Sequence, residues 1–212
     1  MKRYAGLTQW LMPLLANRYH TLTGLENIPA SGPYILAGNH VGSPDPMAVM
    51  AAVYRHTRRA VVFVAYDNVV RAFGKKLAYN WLAIVEKVEN RPNECLDVLR
   101  RELENGQPVG IFPEGMRNAA SFLLPGKTGV ARLAHWTGAP VIPFGFTGPS
   151  TWTFGQGFRA TLSLRRNLAL RIGEPLVFPK VPDAEITKAL LTQTTRTIMT
   201  RIGELAGRPY PY

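Results

Sequence analysis

Short apolar runs rich in β-branched residues alternate along the chain with segments of helical periodicity. The runs predict strands at 34–37, 60–65, 82–88, 109–112, 141–146, 161–164 and 168–172, and the periodic segments predict helices at 46–56, 69–79, 93–104, 127–137 and 183–205. Such alternation over the first 146 residues predicts an α/β fold, a single domain with a mostly parallel central sheet flanked by helices. The last two runs, joined by Arg165-Arg166-Asn167, predict a hairpin at the sheet edge.

Residues 1–20 follow a different pattern, so we separate them from the domain predicted over residues 21–212. Their apolar side chains recur at one-face helical spacing, as an amphipathic segment: Leu7, Trp10, Leu11, Leu14 and Leu15. Such a helix either covers the core or lies in a membrane interface with its apolar face in lipid. Pro13 complicates both interpretations, because an interior proline kinks a helix.

The composition indicates a globular protein with an anionic partner. Hydrophobic residues make up 46% and charged residues 18% of the 212 positions, and the formal net charge is +11. That surplus favours a nucleic acid, an acidic membrane surface or a phosphorylated substrate. The basic residues are scattered and no zinc-finger or RNA-binding signature is present, which argues against nucleic acid.

Targeting and redox signals favour the cytoplasm. The longest uninterrupted apolar run, residues 47–54, is far shorter than the roughly 20 residues that span a bilayer. The basic start Lys2-Arg3 is not followed by the pattern of a secretory signal. Cys95 is the single cysteine, which excludes an internal disulfide and suits a reducing compartment.

The segment "AGNHVGSPDP", residues 37–46, places one histidine and one aspartate between a predicted strand and a predicted helix. Asp45 before Pro46 is typical of a plain helix N-cap, and His40 at a strand end is compatible with a structural role. In a third arrangement the loop folds back, so that Asp45 accepts a hydrogen bond from one imidazole nitrogen. The other nitrogen then faces a cleft as a general base for a hydroxyl nucleophile.

A second candidate segment is "GIFPEGMRN", residues 110–118, where an apolar run ends at Phe112 and the chain turns. Arg117 presents a planar fork suited to phosphate, and Gly115 lets a ligand approach the backbone closely. Alone, this pattern is equally that of a turn with an exposed arginine.

Together, the two segments resemble the lysophosphatidate and glycerol-3-phosphate acyltransferase family. That family has Asn-His, four residues and Asp, followed some 70 residues later by Phe-Pro-Glu-Gly-Thr-Arg-Ser; this chain has "NHVGSPD" (39–45) and "FPEGMRN" (112–118). "WLAIVEKVENR" (81–91) resembles the family's second block and "GAPVIPFGF" (138–146) its fourth. The resemblance covers about residues 25–150 and implies a glycerolphosphate acyltransferase-like fold.

The resemblance also implies a role for individual residues. His40 is the expected base and Asp45 its orienting partner. The residues expected around the substrates are Glu114, Gly115 and Arg117 at the acceptor's phosphate or glycerol, Lys87 in the second block and Pro143 in the fourth. Met116 and Asn118 depart from the family's Thr and Ser, and Lys87 stands where Arg is usual, so acceptor recognition is expected to differ.

One competing motif is "PGKTG", residues 125–129, which suggests a phosphate-binding P-loop. That loop requires a glycine five positions before Gly126, where this chain has Ser121, and it requires a preceding strand. A helix that starts near Lys127 is the better interpretation.

We therefore expect an O-acyltransferase of phospholipid biosynthesis that moves a fatty acyl group from a thioester to a lysophospholipid acceptor such as 1-acylglycerol-3-phosphate. Acyl-CoA or an acyl carrier protein is the expected co-substrate, and no cofactor is expected. No metal site is expected either, because the histidines are widely separated in the sequence. Backbone N–H groups near Gly42 or Gly115 are the expected oxyanion donors.

Two alternatives remain open at this point. One is an acyl-thioester hydrolase that uses the same pair with water, and the other is a non-catalytic lipid-binding membrane protein. We expect a cytoplasmic protein that binds peripherally to the anionic inner face of the membrane.

Overall fold

The computed structural model describes residues 19–42, 45–66, 84–87, 92–150, 156 and 167–212. Its strands are β1 (Tyr19–Thr23), β2 (Ile35–Gly38), β3 (Val62–Tyr66), β4 (Ile84–Lys87), β5 (Val109–Ile111), β6 (Val141–Thr147) and β7 (Leu168–Ile172). Its α-helices are α1 (Asp45–Thr57), α2 (Pro92–Glu104), α3 (Gly129–Thr137) and α4 (Lys188–Ala206). Single 3₁₀ turns occur at Leu25–Asn27 and Asp183–Glu185.

The seven strands form one sheet in the order β1-β7-β6-β2-β5-β3-β4. All strands from β6 to β4 in this order run parallel, whereas β7 is antiparallel to β6 and β1 is parallel to β7. The prediction of a single α/β domain with a mostly parallel central sheet is confirmed. The carboxyl ends of β2, β5, β3 and β4 consequently lie at one edge of the sheet, where ligands bind in folds of this class.

The central strand β2 is completely buried, in agreement with its continuous apolar sequence. Gly38 ends this strand, and an added Cβ there would overlap the Phe144 ring on β6. Helix α4 begins where the Thr187 hydroxyl accepts the Leu190 N–H at 3.1 Å, and it ends at Gly207 with φ +65°. Capping therefore explains why this helix starts after the predicted position 183.

At one side of the sheet, strands β1 and β7 differ from the sequence-based expectation. Strand β1, with the sequence YHTLT, was not predicted, because three of its five residues are polar or His. It pairs along β7 on the side opposite to β6, so β7 is not an edge strand and the predicted edge hairpin is wrong for β7. The predicted strand 161–164, the predicted helix 69–79 and residues 1–18 lie outside the described residues.

Within the described ranges, no helix combines the length and the apolar character that crossing a bilayer requires.

Candidate active site

His40 lies two residues beyond the end of β2, at the carboxyl edge of the parallel strands. Asn39, which precedes it, is buried and bonds twice to the backbone of β6. Its Nδ2 donates to the Phe146 carbonyl at 2.9 Å, and its Oδ1 accepts the Phe146 N–H at 2.7 Å. These bonds continue the β2–β6 ladder with a side chain and thereby fix the direction in which the chain enters His40.

The Asp45 carboxylate folds back onto the loop that follows His40. Its Oδ2 lies 3.0 Å from His40 Nδ1 and accepts the N–H groups of Val41 at 2.6 Å and Gly42 at 2.7 Å. The Asp45 side chain is fully buried, whereas 18% of the His40 side chain is exposed. A carboxylate held by three N–H donors is a fixed negative charge behind the imidazole ring.

This geometry separates the interpretations of Asp45. Although Asp45 is the first residue of α1, every described hydrogen bond of its Oδ2 goes to residues 40–42, and its Oδ1 has no partner. The side chain therefore does not cap the helix in the described residues, and the folded-back arrangement is the one present. Because Nδ1 faces a carboxylate, it carries the proton, and Nε2 is the unprotonated nitrogen of the neutral ring.

The His40 ring is oriented by an aromatic cluster as well as by Asp45. It stacks on Phe112 with ring centroids 4.3 Å apart and an interplanar angle of 18°. Phe112 in turn contacts Phe63 at 5.6 Å and the edge of Phe144 at 6.1 Å. Phe112, packed against Phe63 of β3 and Phe144 of β6, therefore forms an apolar contact with one face of the imidazole ring.

Glu114 and Asn118 hold the main chain of His40. Glu114 Oε1 accepts the His40 N–H at 3.4 Å, and the Asn118 N–H donates to the His40 carbonyl at 2.7 Å. Glu114 Oε2 accepts Asn118 Nδ2 at 2.6 Å and the Leu124 N–H at 2.9 Å. Both side chains are buried. The described bonds make Glu114 a support for His40, and its binding of substrate stays a prediction.

The chain terminus secures the segment that follows Asn118. The guanidinium of Arg208 donates to the Asn118 carbonyl at 3.0 Å, and the Leu123 N–H donates to the Pro209 carbonyl at 3.0 Å. The Tyr210 hydroxyl accepts the Gly126 N–H at 3.3 Å. Residues 118–126 are consequently held by hydrogen bonds to residues 208–210 at both ends and near the middle.

Gly115 and Arg117 lie beside this support. Gly115 has φ +72°, and its N–H donates to the Phe112 carbonyl at 2.9 Å, which closes the turn. A Cβ on Gly115 would lie 2.8 Å from both Cε and Nζ of Lys127, so that lysine covers the glycine. Arg117 is half-buried and Met116 is 51% exposed.

The remaining predicted residues lie farther from the pair. Lys87 ends β4 at the same sheet edge, three strands from β2 and therefore about 14 Å away; its side chain lies outside the described atoms. Pro143 is buried in β6 opposite Ala37. It alternates with Phe144, so its ring lies on the sheet face away from Phe112, and the structure does not bring it to His40.

Oxyanion donors are expected among the backbone N–H groups near Gly42 or Gly115, and the N–H groups of these two glycines already have acceptors. The Gly42 N–H donates to Asp45 and the Gly115 N–H to Phe112. These two groups are therefore used within the turns that form the site, and an oxyanion donor elsewhere near Gly42 or Gly115 stays a prediction.

The Asp45 carboxylate also affects the pKa of a buried tyrosine, Tyr19. Burial, and after it the Asp45 carboxylate, raises the pKa of Tyr19 well above its usual value. The Tyr19 hydroxyl is buried and has no hydrogen-bond partner among the described residues.

Sequence reasoning missed four contributors: Asn39, Phe112, Asn118 and Lys127. Asn39 and Phe112 are the first residues of the two quoted motifs, and this position is the sequence signal that could have indicated their role. Asn118 was treated only as a lost hydroxyl, and Lys127 only as part of a false P-loop. Among the described residues, no cluster of His, Cys, Asp and Glu is suited to hold a metal ion.

Comparison with known proteins agrees with this geometry. The Acyltransferase family model matches residues 20–147, which include both motifs. The chain is 28% identical over 188 residues to the 1-acyl-sn-glycerol-3-phosphate acyltransferase of Bacillus subtilis, which covers 86% of each chain. It is 30% identical over 125 residues to the alpha enzyme of the same name from Ovis aries, covering 57% of this chain and 42% of that protein.

One solved structure has the same fold. The crystal structure of the 1-acyl-sn-glycerophosphate (LPA) acyltransferase from Thermotoga maritima superposes with a TM-score of 0.60 at 23% identity, covering 89% of this chain and 73% of that one. The predicted glycerolphosphate acyltransferase-like fold is thus confirmed. With its histidine and aspartate motif inside the matched range, the chain belongs to the acyltransferase family and is an enzyme of the O-acyltransferase class.

Proposed function

We propose that this protein transfers a fatty acyl group from an acyl thioester to the free hydroxyl of a lysophospholipid such as 1-acylglycerol-3-phosphate. The observation that supports this most is the 3.0 Å contact between His40 Nδ1 and the buried Asp45 carboxylate, which leaves Nε2 to act as a base. The names of the relatives from Bacillus subtilis and Ovis aries support the same acceptor.

The chemistry follows from the protonation state of the ring. Nε2 of His40 takes the hydroxyl proton as the acceptor oxygen attacks the thioester carbonyl, and a tetrahedral oxyanion forms. The carbon–sulfur bond then breaks, and the imidazolium returns its proton to the departing thiolate. Asp45 stays ionised and stabilises the imidazolium between these two steps. The proton taken from the acceptor hydroxyl leaves on the thiol, so the reaction requires no cofactor.

We also propose the class of acyl donor and the place where the acceptor's head group binds. The donor thioester is acyl-CoA or an acyl-acyl carrier protein, since either releases a thiol when its acyl group is transferred. The acceptor head group lies near Arg117, whose planar guanidinium suits a phosphate.

A lipid mass-spectrometry screen tests the proposal. The purified chain is incubated with one acyl-CoA or acyl carrier protein and, in turn, with lysophosphatidate, lysophosphatidylglycerol and no acceptor, while released thiol is measured in parallel. We expect new diacyl lipid equal to the released thiol, and none with His40→Ala. Thiol release without lipid would identify a hydrolase, and lipid binding without release would identify a non-catalytic protein.

The place of action is a second proposal: peripheral attachment to the anionic inner face of the cytoplasmic membrane. The +11 net charge supports it, as do the exposed Met116 and Phe122 on either side of Arg117. Each basic residue at the surface adds up to about 1 kcal/mol of binding, and salt screens it.

Vesicle co-sedimentation tests attachment. We expect the full chain to sediment with anionic vesicles at low salt and to be released at high salt, and we expect removal of residues 1–20 to weaken binding. Equal binding to neutral and anionic vesicles would contradict the electrostatic part, and unchanged binding after the removal would contradict a role for the amphipathic segment.

A further inference from the structure

Lys127 lies against the turn that holds the predicted acceptor-binding residues. Its N–H donates to the Pro113 carbonyl at 2.8 Å, which fixes its backbone to the start of that turn. Its Cε and Nζ then cover Gly115 at the position where any other residue would carry a Cβ. The ammonium group therefore lies beside Gly115, whose Cα is at most about 7 Å from the Cα of Arg117 along the chain.

The Lys127 ammonium forms no ion pair with Glu114 among the described residues. Both oxygens of Glu114 are occupied by N–H donors of His40, Asn118 and Leu124. Among the described residues no carboxylate forms an ion pair with Lys127, and its side chain is exposed. Helix α3 begins two residues later with its positive end at this edge of the sheet, which adds to the local potential.

The two described side chains that replace the family's Thr and Ser do not offer the acceptor a polar contact. Met116 is apolar, and the side chain of Asn118 is used internally. Its Nδ2 donates to Glu114 and to the Phe122 carbonyl at 2.8 Å, and its Oδ1 accepts the Ala120 N–H at 2.9 Å. Neither Met116 nor Asn118 therefore offers a hydroxyl group to a phosphate at this turn.

We propose that the Lys127 ammonium is a second cation for the acceptor head group beside Arg117, and that the two together select a phosphate monoester over a phosphate diester. The inference rests on the proposed function for its substrate. A monoester carries close to two negative charges at neutral pH and a diester carries one. A second cation in contact with the head group therefore adds more attraction for the monoester.

The chain offers a matched control in Lys180. This lysine is exposed and packs against Gly138, which follows α3 and precedes β6. Because β6 runs parallel to β2, Gly138 lies at the sheet edge opposite to His40. Lys180→Gln thus makes the same charge change at the far edge of the sheet.

The experiment compares wild type, Lys127→Gln, Lys127→Arg and Lys180→Gln with lysophosphatidate and with lysophosphatidylglycerol in the same neutral micelles. For Lys127→Gln we expect the KM for lysophosphatidate to rise about 10-fold or more with kcat retained, because a charged hydrogen bond is lost and His40 is untouched. The KM for lysophosphatidylglycerol should change much less. Lys127→Arg should restore most of the loss, and Lys180→Gln should match wild type.

Two outcomes would overturn the proposal. If Lys127→Gln matched Lys180→Gln with both lipids, Lys127 would not contact the head group. If the KM rose equally for both lipids, the monoester selectivity would be wrong.

A binding measurement separates this proposal from the function itself. Inorganic phosphate is titrated into the full chain and followed by ³¹P line broadening, which needs no turnover. We expect Lys127→Gln to weaken phosphate binding about 10-fold, and equal binding by the variant and wild type would overturn the proposal. A wild type that binds phosphate but acylates neither lipid would contradict the proposed function alone.

Discussion

Oε1 of Glu114 accepts the backbone N–H of His40, so a buried carboxylate from one motif supports the histidine of the other. The Asn118 N–H completes the support from the opposite side of the same residue. The segment around residues 112–118 thereby has a structural role at His40, in addition to carrying Gly115 and Arg117, which are predicted to bind the acceptor.

Replacing Glu114 by Gln tests the internal role. An amide places an N–H group against either the His40 N–H or the donors of Asn118 and Leu124, so one hydrogen bond becomes a repulsion. We expect a loss of about 1–3 kcal/mol in the free energy of unfolding and a lower kcat. Denaturant unfolding and steady-state kinetics at saturating acceptor measure both.

The control for this variant is Glu104→Gln, at an exposed carboxylate paired with Arg100 on α2. It should change stability by less than about 0.5 kcal/mol. If Glu114→Gln instead raised the KM for the acceptor and left kcat and stability unchanged, Glu114 would be a substrate-binding residue, as the family resemblance implies.

Much of this arrangement was predictable from the sequence, since strand ends in a parallel sheet lie together and His40 and residue 112 both follow buried runs. The fold-back of Asp45 was one of several open interpretations, and local pattern alone did not decide among them. Lys127 could not be placed, because its contact with Gly115 depends on how a loop packs between two elements. Strand β1 was missed because its pairing with β7 depends on tertiary contacts rather than on apolar alternation.

Gly115→Ala tests whether the close contact with Lys127 matters. Gly115 has φ +72° and Gly32 has φ +78°, so alanine introduces backbone strain of about 1 kcal/mol at both positions. Only at Gly115 does the new Cβ meet a neighbour, the Lys127 side chain; at Gly32 nothing lies within 4 Å. We expect similar losses of stability and a raised acceptor KM in Gly115→Ala alone. Equal KM values in the two variants would contradict this.

Arg117→Lys keeps the charge but removes the planar fork. If the guanidinium binds the acceptor's phosphate through two parallel hydrogen bonds, the KM for lysophosphatidate should rise about 10-fold while thioester hydrolysis by water changes little. Initial rates at varied lysophosphatidate measure the first quantity, and thiol release without acceptor measures the second. Unaltered acceptor kinetics would remove Arg117 from the site.

The raised pKa of Tyr34 predicts that part of the protein's stability is lost at alkaline pH. Burial raises the pKa of its hydroxyl to about 12, against a smaller opposing effect of the Arg59 guanidinium, which lies 5.7 Å over the ring. The unfolded chain releases this proton near pH 10 and the folded chain retains it, so stability falls as the pH rises from about 10 to about 12. The full contribution is about 2–3 kcal/mol.

Tyr34→Phe removes that contribution. Urea unfolding at pH 9, 10 and 11 should show a shallower decline for the variant than for wild type, because the other tyrosines titrate in both proteins. Parallel curves would show that Tyr34 does not account for the decline.

His40 and Asp45 are proposed to work as one catalytic unit, and a double-mutant cycle measures the coupling between them directly. His40→Ala should lower kcat by about 10² to 10⁴-fold or more. Asn at position 45 presents Nδ1 with a neutral oxygen or with an N–H group. The first cannot stabilise the imidazolium and the second imposes the wrong tautomer, so kcat should fall about 10²-fold or more. The double variant should be little worse than His40→Ala alone.

The decisive measurement is therefore kcat for acyl transfer by His40→Ala, Asp45→Asn and the double variant, with thermal unfolding of the same samples. We expect folded proteins, a large loss of kcat in each single variant and almost no further loss in the double variant. A stable Asp45→Asn protein with wild-type kcat would contradict it, because the 3.0 Å contact between Asp45 and His40 would then have no part in catalysis.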